Sequence, residues 1–173
     1  MITYKKGDLF QALPKSAGTT PIGKIVNPII VPHIVNNEGL WGSGFVIPVG
    51  KNFPKAKQKY ALASRLPLGD NQWIEVQDGI FIVNMIAQTS FVDEKPTKYA
   101  ALVKCMEDIA QNGKSFYLKC KIYALKFGSA RVGGNWDFIE ELIEEIWAEY
   151  NVTIFEYEEK FNKNNYKLSH GVK

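Results

Sequence analysis

Cysteine and histidine are both scarce in this chain, with two of each among 173 residues. Cys105 and Cys120 lack the paired spacing of a zinc site and read as two free thiols in a reducing cytosol. No stretch approaches the ~18 consecutive apolar residues of a membrane span. The opening residues Met1-Ile2-Thr3-Tyr4-Lys5-Lys6 carry charge but no apolar run, so no secretory signal is expected. There is no Gly-Lys-Ser or Gly-Lys-Thr, which argues against a Walker A loop and a nucleoside triphosphatase. Excess charge is also lacking. Lys and Arg number 21 against 18 Asp and Glu, a net +3, and no basic stripe gathers them. Neither nucleic acid nor a membrane is an expected partner.

What is present is an ordinary globular composition, 46% apolar and 13% aromatic, enough for one domain with its own core. No internal repeat occurs. Strand-like and helix-like stretches alternate, which favours an α/β layer fold. A short strand at residues 2–4 stops at Gly7-Asp8. Residues 29–36 are dense in β-branched residues, and Pro32 within them predicts an edge strand or a bulge. Residues 42–52 and 54–65 read as two short helices divided by Pro54. Residues 72–76 and 79–87 form a hairpin around Asp78-Gly79. A helix begins at Pro96, carries Tyr99, Leu102, Val103, Met106 and Ile109 on one stripe, and ends at Gly113. A strand at 121–127 precedes a helix capped by Asn135, with Phe138, Ile139, Leu142, Ile143, Ile146 and Trp147 on its apolar side. A last strand covers 152–157. The domain is expected to span 1–157, and the polar stretch 158–173 reads as a tail.

Chemistry is expected where strands run into helices through glycine. The first such loop is Asn36-Asn37-Glu38-Gly39-Leu40-Trp41-Gly42-Ser43-Gly44; the second runs from Phe127-Gly128-Ser129-Ala130-Arg131-Val132 to Gly133-Gly134-Asn135-Trp136. Glycine lets backbone approach a ligand, successive N–H groups cradle phosphate oxygens, and the following helix presents its positive end. Two such loops in one α/β domain point to a diphosphate held between them.

The chain resembles a macro domain from about Met1 to Tyr157. Gly7-Asp8-Leu9-Phe10 resembles that family's early Gly-Asp motif, whose acid accepts the adenine amino group. Asn36 falls at the family's distal-ribose asparagine. Gly42-Ser43-Gly44, running into Phe45, is similar to the loop along the diphosphate, and residues 127–134 to the later phosphate loop. Phe155 or Tyr157 resembles the aromatic that stacks on adenine. The resemblance implies a three-layer α/β/α sandwich with a mixed central sheet, and ADP-ribose or ADP-ribose 1″-phosphate as the ligand, free or protein-linked. No cofactor or metal is expected, and the chain reads as a cytoplasmic monomer. His33…Asn36 followed by Trp41-Gly42-Ser43-Gly44 looks most like the ADP-ribose 1″-phosphate phosphatase-type branch and its phage and bacterial relatives. The acid that one hydrolase branch places after the first loop is replaced by Phe45-Val46. The lysine and aspartate of another fall at Gln88 and Val132.

The candidate residues keep alternatives. His33 is either a general acid or base near neutral pH, acting with Asn36 at the ribose, or a partly buried histidine bonded to a backbone carbonyl. Asp8 binds adenine or caps a turn; Asn36 holds the ribose or caps its loop. Ser129 is loop structure rather than a nucleophile. Arg131 pairs with phosphate or is solvated. Trp41 and Trp136 wall the cleft or pack the loops, and Asn135 and Asp137 cap a helix first. Three functions remain: a hydrolase acting on ADP-ribose 1″-phosphate, a module that binds ADP-ribose without turnover, and a de-ADP-ribosylating hydrolase.

Overall fold

The computed structural model describes residues 1–18, 21–23, 25, 27–89, 93–115, 120–128 and 134–157. Its elements in chain order are β1 (Ile2–Lys6), α1 (Leu9–Ala12), β2 (Ile29–Asn36), α2 (Val46–Asn52), α3 (Pro54–Ala61), β3 (Asn71–Gln77), β4 (Ile80–Gln88), α4 (Tyr99–Ser115), β5 (Lys121–Leu125), α5 (Trp136–Ile146) and β6 (Asn151–Glu156). The tail expected at 158–173 lies outside the described residues. No helix among them is long and apolar enough to cross a membrane.

The six strands form one sheet in the order β1-β6-β5-β2-β4-β3. All neighbours are parallel except the β3–β4 hairpin, so the sheet is mixed. Strand side chains alternate between faces, and both faces are apolar. On one, Ile30, Val83, Met85, Ile122, Val152 and Ile154 pack against Leu102 and Met106 of α4 and Ile139 and Ile143 of α5. On the other, Ile29, Val31, Ile80, Ile82 and Phe155 meet Leu9 of α1, Val49 of α2 and Ala56 of α3. The result is the expected three-layer α/β/α sandwich.

Several local expectations differ from the structure: the helices expected at 42–52 and 54–65 are confined to Val46–Asn52 and Pro54–Ala61. Pro32 does not mark an edge, because β2 lies between β5 and β4. The Ile29 N–H donates toward β4, to Gly79 O at 3.0 Å. By alternation position 32 therefore faces β5, and the β2–β5 ladder joins only Ile29 to Lys121 and Ile30 to Ile122. The missing proline N–H falls beyond the last pair. Pro96 does not start α4. It precedes Thr97, which bridges Gln88 antiparallel, and the helix begins at Tyr99. Gly113 does not end α4, which continues to Ser115. Glycine is required there by packing, since a Cβ would come within 2.6 Å of the Tyr150 hydroxyl oxygen.

Candidate functional site

From β5 the chain passes through α5 to β6 on one side. From β2 it passes through α2, α3 and β3 to β4 on the other, with the helices on opposite faces. The two connections part at the carboxyl ends of β5 and β2, which makes a topological switch point and a crevice between the two loops. The short β2–β5 ladder leaves the strands unpaired towards that end.

The first loop is built around Asn36. Its Oδ1 accepts from the Glu38 N–H at 3.0 Å and the Leu40 N–H at 3.1 Å, and its Nδ2 donates to Leu40 O at 2.6 Å. The Tyr60 hydroxyl, rising from α3, donates to Asn36 O at 2.6 Å and lies 2.8 Å from Asn36 Oδ1. Burial raises the Tyr60 pKa to about 12, so the phenol stays a donor. Beyond this knot Gly42, Ser43 and Gly44 are exposed, and Gly44 takes a left-handed φ of 79°. Phe45 closes the loop by stacking on Phe10 of α1, centroids 5.6 Å apart. Trp41 packs inward, 5.2 Å from the Tyr60 ring, and a Cβ on Gly50 would lie 2.8 Å from its Nε1.

Of the second loop, Ser129, Ala130, Arg131, Val132 and Gly133 lie outside the described residues. Its two ends are described, and they touch: a Cβ at Gly134 would sit 1.7 Å from Gly128 O. Gly128 itself has φ 71°. The loop therefore leaves and re-enters through a neck that admits no side chain. Asn135 caps α5 by accepting from the Asp137 and Phe138 N–H groups, and its own N–H donates to the Tyr99 hydroxyl oxygen at 2.7 Å. Trp136 packs edge-on to Phe127 and donates its indole N–H to the Tyr4 hydroxyl oxygen at 3.1 Å. Asp137 is exposed in the first turn of α5.

His33 is 2% exposed, on the sheet face under α2 and α3. It belongs to a polar row that crosses three strands in register, Gln72 on β3, Asn84 on β4 and His33 on β2. Asn84 Nδ2 donates to Gln72 Oε1 at 3.0 Å and Ala56 O at 3.2 Å. Its Oδ1 is thus left to accept from His33 Nε2–H at 2.6 Å. That fixes the tautomer and leaves Nδ1 a bare lone pair without a partner. Trp41 and Phe45 meet the ring edge-on at 5.6 and 5.8 Å. Burial lowers the His33 pKa from 6.5 to about 4, against the raising effect of the Asn84 bond, so the imidazole is neutral at pH 7.

At the β1–β6 end, Asp8 caps α1, its Oδ1 accepting from the Phe10 N–H at 2.8 Å, and Leu9 is buried beneath it. Tyr157 follows β6 and is 38% exposed, whereas Phe155 is 2% exposed in the core between Leu9 and Tyr123. Burial, and secondarily the charge of Asp8, raises the Tyr157 pKa to about 12. Tyr60 and Asn84 carried no sequence signal, because their partners are 24 and 51 residues away. Among the described residues no group of three or more His, Cys, Asp or Glu could hold a metal ion.

No family model matches the chain. A 70-residue stretch is 29% identical to an uncharacterised 17.5 kDa protein of Enterobacteria phage T4, covering 40% of this chain and less than half, 45%, of that protein. A protein of unknown function from Bacteroides thetaiotaomicron superposes with a TM-score of 0.73 at 27% identity, over 90% of this chain and 97% of that one. A macrodomain protein from Streptomyces coelicolor does so with a TM-score of 0.71 at 22% identity, over 91% and 100%. The chain has the macrodomain fold. A more distant macrodomain, from Trypanosoma brucei and solved in complex with ADP-ribose, has a TM-score of 0.58 at 13% identity, over 96% of this chain and 68% of that one. In this macrodomain fold five parallel strands end along one edge of the sheet. In spatial order they present Asp8, Tyr157, Gly128, Asn36 and Gln88.

Proposed function

We propose that this chain binds ADP-ribose across the crevice. The adenine lies at Asp8 and Tyr157, the diphosphate between Gly42-Ser43-Gly44 and the loop from Gly128 to Gly133, and the distal ribose beside the Asn36 stem. The observation that carries this reading is the order of groups along the sheet edge. Four inter-strand steps of ~4.8 Å span roughly 19 Å, room for a long ligand with a base at one end. An acid and an aromatic stand at one end, and a glycine loop flanks each side of the switch point. The macrodomain from Trypanosoma brucei, solved with ADP-ribose, supports the same ligand class.

Binding without His33-dependent turnover is the better-supported reading. A buried, neutral imidazole held by Asn84 is poorly placed to exchange a proton with substrate. Asn36, whose oxygen is already engaged by the loop, acts first by shaping that loop and only secondarily through its remaining amide hydrogen. Calorimetry tests the proposal: ADP-ribose binds in the micromolar range, about −8 kcal/mol at 1 μM, and AMP far more weakly. Equal affinity for AMP and ADP-ribose would sink it. Phosphate release from ADP-ribose 1″-phosphate that disappears in His33→Ala would restore the hydrolase. Asp8→Ala, expected to cost about 1.5–3 kcal/mol of ADP-ribose binding, checks the adenine end while circular dichroism checks that α1 survives.

A further inference from the structure

The sheet has an open edge that the crevice does not use. β3 lies at the end of the strand order and pairs only with β4. The Ile86 N–H donates to Asp70 O at 3.0 Å. By alternation Gln72 and Ile74 bond β4 as well, and Trp73 and Glu75 turn their carbonyls outward. Two lysines of α3 meet them there: Lys59 Nζ donates to Trp73 O at 2.7 Å and Lys55 Nζ to Glu75 O at 3.3 Å. Between α3 and β3 runs a groove of about 500 Å³, lined in part by Ala63 and Ile74. Leu62 stands at the same groove and is 84% exposed.

Charge on this side is of one sign. Between Glu38 and Asp70 the chain has no acid but carries Lys51, Lys55, Lys57, Lys59 and Arg65, all exposed. None of the five is ion-paired among the described residues. The near-neutral total of +3 hides this local imbalance. A partner that docks here must meet two demands together. The lysines call for anions. The carbonyls, two residues apart and so ~6.8 Å along the strand, call for N–H donors at the repeat of another strand. A phosphodiester backbone has no N–H to offer a carbonyl, and a helix spends its N–H groups internally. An extended peptide with acidic side chains supplies both. Lysine on an edge ordinarily bars pairing, because an arriving strand strips the ammonium of its acceptor. Acids on that strand give the displaced ammonium a new partner, so the same two lysines exclude neutral and basic strands and admit acidic ones.

We infer that the β3 edge and the α3 groove form a docking surface for an extended acidic segment of another protein, which adds beside β3 as a further strand. Its N–H groups take over Trp73 O and Glu75 O, its carboxylates take Lys55 and Lys59, and an apolar residue packs on Leu62. The inference does not rest on the ADP-ribose reading. Fluorescence anisotropy with the labelled peptide Thr-Glu-Val-Glu-Thr-Glu-Val tests it. The wild type should bind this peptide roughly tenfold more tightly than its glutamine counterpart, the worth of two or three exposed ion pairs, and the lysine counterpart more weakly still. N-methylation at alternate residues, which removes N–H donors and keeps the charge, should abolish binding of the acidic peptide. In Lys55→Gln/Lys59→Gln the preference for glutamate over glutamine should vanish while the melting temperature stays that of the wild type. Leu62→Asp, at a position too exposed to affect folding, should also weaken the acidic peptide. Amide signals that shift on binding should belong to β3 and α3. No binding of the acidic peptide, full binding of its N-methylated form, or an undiminished preference in the double variant overturns the assignment. Tighter binding of oligothymidylate than of the peptide would make the face a nucleic-acid site. Self-association of the chain that the peptide fails to displace would make it an interface between copies. Either result overturns the assignment too.

Discussion

A neutral imidazole enclosed by Trp41 and Phe45 makes His33 a reporter of pH. Its pKa is about 4 in the folded chain against 6.5 when unfolded, so between those values the unfolded chain holds more protons. Its contribution to stability is complete above pH 6.5 and is lost as pH falls towards 4, on the order of 3 kcal/mol in all. Urea unfolding across pH 4–7 should show that slope, and His33→Gln should flatten it; an unchanged slope places the titration elsewhere. Gly134 is constrained for a different reason. The 1.7 Å between its missing Cβ and Gly128 O leaves no rotamer to escape into. Gly134→Ala must open the neck of the second loop, at a cost of about 1–3 kcal/mol by analogy with overpacking. Nucleotide binding should fall more steeply than urea stability, which calorimetry and melts on one preparation would compare.

Between elements, one phenol fastens the first loop to α3. Tyr60→Phe removes the donor to Asn36 O and the contact with Asn36 Oδ1 while keeping the ring against Trp41. It should cost about 1–2 kcal/mol for the buried acceptor left unpaired and weaken ADP-ribose binding several-fold, read by urea melts and calorimetry. An unaltered affinity would mean the loop holds its shape without the phenol. Local pattern revealed much at this scale. Apolar periodicity identified α4 and α5, Asn135 was legible as a cap, and the glycine loops were found where strands enter helices. Pro32, Pro96 and Gly113 misled because each is explained by a neighbour distant in sequence: the end of the β5 ladder, the Gln88 bridge and the Tyr150 hydroxyl. His33 stood open between proton transfer and burial against a backbone carbonyl; the assembled sheet encloses it and pairs it with the Asn84 side chain instead. Phe155 and Tyr157 were equivalent by spacing, and burial alone separates them.

For the whole molecule, a ligand that binds only the folded chain raises its stability. At a hundred times its dissociation constant, ADP-ribose should add about 2.7 kcal/mol, a shift of roughly 5–10 °C in Tm, and AMP at the same concentration much less. Differential scanning calorimetry checks this; equal shifts with both nucleotides would count against a site that reads the entire molecule. The sheet also has an uneven seam. Two residue pairs join β5 to β2 at the foot, yet α4 and α5 lie in one core with strands from both sides. The sheet therefore behaves as a zip whose teeth mesh at one end while a strap of helices keeps both sides aligned. A ligand bound across the open end is expected to hold the two sides of that seam together. Slower amide exchange along β5 and β2 would then report occupancy of the crevice.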